Sequence, residues 1–194
     1  MKEQSITEQE SIAIIQSMIA KTKEEMVDRS IFLNLWGIAV SLCAIVQYIL
    51  LKMLFTNTQM VWLAMPIVAI IHIVIAIKFA NKERHQSLNS FAINSLWIAL
   101  GIAIGVIVFL SFYNSFNLFS FLILIYAIGT FVTGRIIQFK PLIIGGLICF
   151  GLSVLINFID GAEQLLVLAL SVVVSYLIPG FILRNEYHQQ KNKV

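Results

Sequence analysis

Residues 91–134 read FAINSLWIALGIAIGVIVFLSFYNSFNLFSFLILIYAIGTFVTG, 44 positions without one Lys, Arg, Asp or Glu. One straight helix of that length would extend about 66 Å at 1.5 Å per residue. That is roughly twice the ~30 Å hydrocarbon core of a bilayer, so the chain must turn back within the stretch. The turn is read at residues 111–117, where Asn114, Ser115 and Asn117 supply turn chemistry. Phe112, Tyr113 and Phe116 beside them suit a membrane interface. An apparent single block thus becomes two spans, 91–111 and 118–134.

The rest of the chain follows the same reading. It has 194 residues, of which 59% are hydrophobic and 12% charged, with a mean hydropathy of +0.92. Soluble domains carry about a quarter charged residues, so this composition calls for lipid. Four more apolar stretches have near-spanning length, at 31–51, 60–79, 142–159 and 165–183. The expected fold class is all-α: six transmembrane helices (31–183) after an amphipathic helix within residues 1–30, with 184–194 as a tail. Short loops predict antiparallel neighbours arranged as three hairpins. About thirty residues with six acidic side chains precede the first span, too long and too acidic for the n-region of a signal peptide. That span is therefore expected to be permanent, and neither end shows a lipidation or retention signal.

Positive charge sets the expected orientation, because Lys and Arg in short loops resist translocation. With the amino terminus in the cytoplasm, twelve of the thirteen Lys and Arg residues fall inside and only Lys52 outside. Both ends are then cytoplasmic, and the net charge of +3 reports topology rather than a nucleic-acid surface.

Residues 5–29 predict a helix. Ser5 and Glu8 fit a capping box, and Ile12, Ile15, Ile19 and Met26 recur at helical spacing with Met18 beside them. Residues 1–29 hold four basic and six acidic groups, net −2, which argues against docking on anionic lipid. The stripe fits packing on the bundle, on a protein partner or on a second copy.

Within the spans, small residues and polar side chains are expected to hold the helices together. Gly101 and Gly105 form a GxxxG pair assigned to helix packing, chiefly within the chain. Gly37 with Ser41 and Ser171 with Ser175 are looser pairs, and Gly145, Gly146 and Gly151 permit close approach of the fifth span. Pro66, and Pro179 with Gly180, are candidate hinges. No Asp, Glu, Lys or Arg lies well within a span, which argues against a buried carboxylate relay and against voltage sensing. His72 is the ionisable exception. With Asn34, Asn94, Tyr126 and Tyr176, and with Ser95 and Thr130 at similar depth, it defines a candidate polar cavity. The plainer reading is separate helix-to-helix bonds of about 1 kcal/mol each.

Trp36, Trp62 and Trp97 sit near span starts, where an aromatic belt explains them. Gln47, Asn157 and Asp160 share a depth near the outer face, and Asp160-Gly161 reads as a turn. Cys43 and Cys149 lie mid-span at depths differing by about 7 Å, which favours free thiols. No nucleophile motif, nucleotide fingerprint or metal spacing occurs, so no enzyme, cofactor or metal centre is expected. The first and third spans both open with Phe, Asn and Leu-Trp, at 32–36 and 91–97, a hint of a duplicated hairpin that the fifth span lacks.

Thr133-Gly134 with Phe139-Lys140-Pro141-Leu142 and Gly145-Gly146, and Tyr176 to Pro179-Gly180, resemble small uncharacterised bacterial inner-membrane proteins with an N-terminal helix and six spans. The resemblance implies bacterial inner-membrane placement and brings no activity, substrate or catalytic residue with it. The functional expectation is a non-enzymatic regulatory or partner-binding membrane protein, with a transporter or channel for a small neutral or weakly polar solute as the alternative. The expected partners are the lipid bilayer and a protein or second copy at residues 5–29, with no nucleic acid.

The 111–117 turn is testable. A cysteine at Asn114, with Cys43 and Cys149 replaced by Ser, should react with a membrane-impermeant thiol reagent from outside the cell. Labelling only from the cytoplasmic side would break the six-span topology.

Overall fold

The computed structural model describes residues 8–28, 30–82 and 88–191. Among them the chain forms α1 (Glu8–Asp28), α2 (Ser30–Lys52), α3 (Ala64–Lys82), α4 (Leu88–Ser111), α5 (Leu118–Ile136), α6 (Lys140–Leu155), α7 (Glu163–Val172) and α8 (Ile178–Lys191). A 3-10 stretch, Thr58–Leu63, leads into α3, another, Ile156–Phe158, ends α6, and a π turn, Val173–Leu177, joins α7 to α8. Six helical segments are long and apolar enough to cross a bilayer: Ser30–Lys52, Thr58–Lys78, Leu88–Ser111, Leu118–Ile136, Lys140–Phe158 and Glu163–Asn185. The fold is an all-α bundle and defines the chain as a multi-pass membrane protein.

The turn that divides residues 91–134 is present. α4 ends at Ser111, Phe112 and Tyr113 are exposed, and the Asn117 side chain caps α5 by accepting from the Ser120 N–H at 3.3 Å. Asp160-Gly161 also turns, with Gly161 at φ 71.

Packing is uneven. Half of the apolar window of Leu118–Ile136 and of Glu163–Asn185 is buried within the chain, against 6% for Thr58–Lys78 and for Leu88–Ser111. α7 and α8 run through the middle, in contact with α2, α5 and α6. α3 leans on α2, and α4 leans on α5 with α1 beside it. The expected hairpins α2–α3 and α4–α5 form, and α6 packs on the π turn. α3 and α4 share no extensive contact among the described residues, so sequence neighbours are not neighbours there.

The most extensive contact is between α5 and α6, and glycine explains its closeness. A Cβ on Gly146 would stand 2.8 Å from the Phe131 backbone nitrogen, and one on Gly134 2.8 Å from the backbone nitrogen of Ile143. On its other side α6 meets the π turn, where a Cβ on Gly145 would lie 2.9 Å from the Val174 carbonyl oxygen. The connection is correspondingly tight. Gln138 takes a left-handed φ of 54, and the Phe139 N–H reaches back to the Gly134 carbonyl at 2.9 Å, the six-to-one bond of a Schellman end. Pro141 then sits in the first turn of α6, where its missing N–H costs nothing.

The structure corrects the packing expectation for Gly101 and Gly105 and specifies the places of Pro66 and α1. Pro66 lies in the first turn of α3, just after the 3-10 lead-in ends. A proline lacks the N–H for the carbonyl four residues back and crowds it, so the helix changes type at that point. Gly101 and Gly105 do not pack within the chain, since a Cβ on either meets nothing within 4 Å. The stripe of α1 is only half seated: Thr22 is fully buried and Met18 and Ile19 are half-buried, while Ile12 and Ile15 are exposed. Ser5 of the predicted capping box and the Met26 side chain lie outside the described residues.

These contacts set a contrast for thermal unfolding in detergent. Gly146→Ala forces two backbones apart and should destabilise by about 1–3 kcal/mol. Gly101→Ala and Gly105→Ala enter open space and should stay within ~0.5 kcal/mol of the parent.

Candidate functional site

The polar groups inside the spans form two clusters rather than one cavity. The first joins α2 to α3. Trp36 Nε1–H donates to His72 Nδ1 at 3.0 Å, and the Phe32 ring lies 4.4 Å from the imidazole, centroid to centroid. Phe32 and Trp36 are one turn apart on α2 and so share the face that meets α3. Asn34 stands two residues from each, about 200° round the helix, and faces α8. Its Oδ1 lies 2.7 Å from where a Cβ on Gly180 would be. His72 and Asn34 are therefore on opposite sides of α2 and line no common space.

The second cluster joins α4, α5 and the π turn. The Tyr176 ring meets those of Tyr126 and Trp97 at centroid separations of 5.4 and 5.8 Å, both edge-on. Trp97 Nε1–H donates to Thr133 Oγ1 at 3.2 Å, and Thr130 Oγ1 donates to the Tyr126 carbonyl at 2.7 Å. Gly37 admits this cluster to α2, since a Cβ there would meet Leu177 at 2.7 Å and the Tyr176 Cβ at 3.3 Å. Asn94 belongs to neither cluster. It lies on the exposed face of α4, as does Ser95; the period of α4 that turns Trp97 inward turns both away.

The tryptophans carry more than an interfacial belt. Trp36, Trp97 and Trp62, whose Nε1–H donates to Gln47 Oε1 at 2.6 Å, each tie one helical segment to another. The belt reading missed these ties, and Thr133 with them. For Trp36 and Trp97 the one sequence signal is the Leu-Trp shared by the openings of the first and third spans.

The last span holds the remaining irregularity. At the π turn the Ile178 N–H reaches the Val173 carbonyl five residues back. Pro179 cannot bond the Ser175 carbonyl and crowds it, and the wider turn makes room. Asn34 Oδ1 is buried near this segment with no hydrogen-bond partner among the described residues, and the Ser175 side chain lies beside the Cys149 thiol.

Both cysteines are free and buried: Cys43 Sγ contacts the Val61 carbonyl at 3.6 Å and Cys149 Sγ the Ser171 carbonyl at 3.2 Å. At the end of the bundle away from α1, Asn157 Nδ2 donates to Ser120 Oγ at 3.0 Å, tying α6 to α5. There too Lys52 pairs with Glu163 at 2.6 Å on the exposed surface. Among the described residues no three His, Cys, Asp or Glu side chains are grouped to hold a metal. Among the described residues the arrangement offers ties between helices, the His72 imidazole and the buried Asn34 oxygen. No known protein family matches the chain, and no curated protein or solved structure is similar to it.

Thr133→Val keeps the side-chain shape and leaves the Trp97 N–H without its acceptor. It should cost about 1 kcal/mol, the usual worth of such a bond between membrane helices, whereas Asn94→Leu should cost nothing. Unfolding both variants in detergent beside the parent measures the difference.

Proposed function

We propose that this chain is a non-enzymatic membrane protein that binds a partner, and that α1 is its docking element. The observation that carries the reading is the division of α1. Its second half is anchored on the bundle through Thr22, beside α2, α4 and α8. Its first half stands clear: residues 12–17 are all exposed and present Ile12, Ile14 and Ile15 at 56, 48 and 56% of their full surface. These isoleucines fall within about one helical turn, Ile12 and Ile15 side by side and Ile14 further round, and leave this half of α1 with apolar surface open to association. The net charge of −2 over residues 1–29 disfavours an anionic lipid surface as the occupant and favours a protein.

The proposal includes the bacterial inner membrane as location, with both ends in the cytoplasm. The twelve-to-one division of basic residues supports the orientation, and the short motifs at 133–146 and 176–180 support the bacterial setting. α1 then faces the cytoplasm.

The test is purification of the full chain from native membranes in mild detergent, with mass spectrometry of stoichiometric companions. Ile12→Ser with Ile15→Ser should release a companion that the parent retains, with thermal stability unchanged because neither side chain is packed. Recovery of the parent alone, unchanged by deletion of residues 1–29, would count against this function.

A second reading, a transporter or channel for a small neutral or weakly polar solute, draws on the π turn and the Asn34 oxygen, buried without a partner among the described residues. Thermal stabilisation of the isolated chain by such a solute, abolished by Asn34→Leu, would favour it.

A further inference from the structure

Hairpins α2–α3 and α4–α5 are tied by the same device. In each, an indole N–H on the first helix donates to a side chain 36 positions later on the second, Trp36 to His72 Nδ1 and Trp97 to Thr133 Oγ1. The acceptors differ in kind. A threonine hydroxyl keeps its lone pairs at every accessible pH, whereas an imidazole nitrogen accepts only while it carries no proton. Indole nitrogen can only donate. The Trp36 bond therefore requires a bare Nδ1, which places the proton of the neutral ring on Nε2. A second proton, on Nδ1, would set N–H against N–H.

The element free to respond is α3. Only 6% of the apolar window of Thr58–Lys78 is buried, and α3 makes no extensive contact with α4. Its described side-chain ties run to α2. Two of them, Cys43 Sγ to the Val61 carbonyl and Trp62 to Gln47, hold the 3-10 lead-in at the end far from α1. Toward α1, the Trp36 bond and the Phe32 ring contact hold the helix. His72 is half-buried.

We propose that Trp36 and His72 form a proton-operated latch. Protonation of His72 releases the α1-end half of α3 from α2, while the far end stays pinned and the Trp97–Thr133 tie keeps α4–α5 closed. The groups facing His72 from α2 are Phe32 and Trp36, neither of which titrates in the working range. The titratable groups of α2, namely Cys43, Tyr48 and Lys52, lie seven or more residues beyond Trp36 toward the far end. On α3 the nearest described one is Lys78, six residues along, and the Thr58–Leu63 lead-in has none. No described carboxylate is in place to receive the imidazolium or replace the lost bond.

The test uses the full chain in proteoliposomes, with Cys43 and Cys149 replaced by Ser and nitroxides at exposed Ile31 and Ile77. A second pair at exposed Phe91 and Arg135 reports on α4–α5. Nitrogen NMR of labelled histidine follows the His72 ring between pH 8 and pH 4.5. We expect the Nε2–H tautomer at pH 8. On acidification His72 should take its second proton as the 31–77 distance distribution shifts to longer values and the 91–135 distribution stays fixed. His72→Gln keeps an acceptor that does not titrate and should hold the short distance at both pH values, while His72→Phe should give the long distance at both. An Nδ1–H tautomer at pH 8, a ring that stays neutral to pH 4.5, protonation without movement, or equal movement in His72→Gln would each overturn the latch.

Discussion

In hydrocarbon, two helices gain nothing by hiding leucine from leucine, because lipid chains are as apolar as the side chains. They associate where backbones come close enough for dispersion and short polar contacts to exceed what lipid offers. In this chain that closeness is greatest between α5 and α6, where Gly134 and Gly146 leave no room for a Cβ. Gly145 extends the approach to the π turn, and Gly37 brings α2 to the same segment from another side. The last span is thus gripped by glycine contacts, and α3 and α4 are laid outside that unit.

On the outer two helices directional bonds add to the packing, which for α4 includes Trp97 and Leu100 seated on Gly129. With 6% of their apolar windows buried, α3 and α4 have little packing to hold them, and the indole ties of Trp36, Trp62 and Trp97 carry more of the attachment. A bond between side chains can be broken by changing one atom's protonation, whereas a packed glycine face cannot. On the proposed latch, this difference makes the α1-end half of α3 the part that moves, while α4–α5 and the α5–α6 pair stay closed.

The expected polar cavity illustrates how depth differs from direction. Counting residues from the span ends puts Asn34, His72, Asn94, Tyr126 and Tyr176 at middle or inner depth. Helical phase then separates them. Asn34 and His72 fall on opposite faces of α2, Asn94 faces outward, and Tyr126 and Tyr176 meet each other and Trp97. The GxxxG pair shows the same limit. Gly101 and Gly105 carry the stronger motif yet face open space, while Gly134 and Gly146, on two helices joined by a tight turn, each bring one backbone against the other.

The sequence by itself determined the six spans and their limits to within a few residues. It also determined the turn at 111–117, because bilayer thickness and the cost of an unpaired backbone leave few alternatives once charges and turn residues are placed. It marked the positions where backbone regularity fails, at Pro66 and at Pro179-Gly180, since proline removes a bond wherever it stands. Only the tertiary structure decided what those positions became: a change of helix type at Pro66 and a π turn before Pro179. It also decided which glycines touch, which half of α1 is seated, and that Trp36 and Trp97 have acceptors 36 residues away. Those outcomes depend on the rotation of each helix about its axis, which a nearly all-apolar sequence does not encode because most of its faces are equally acceptable to lipid.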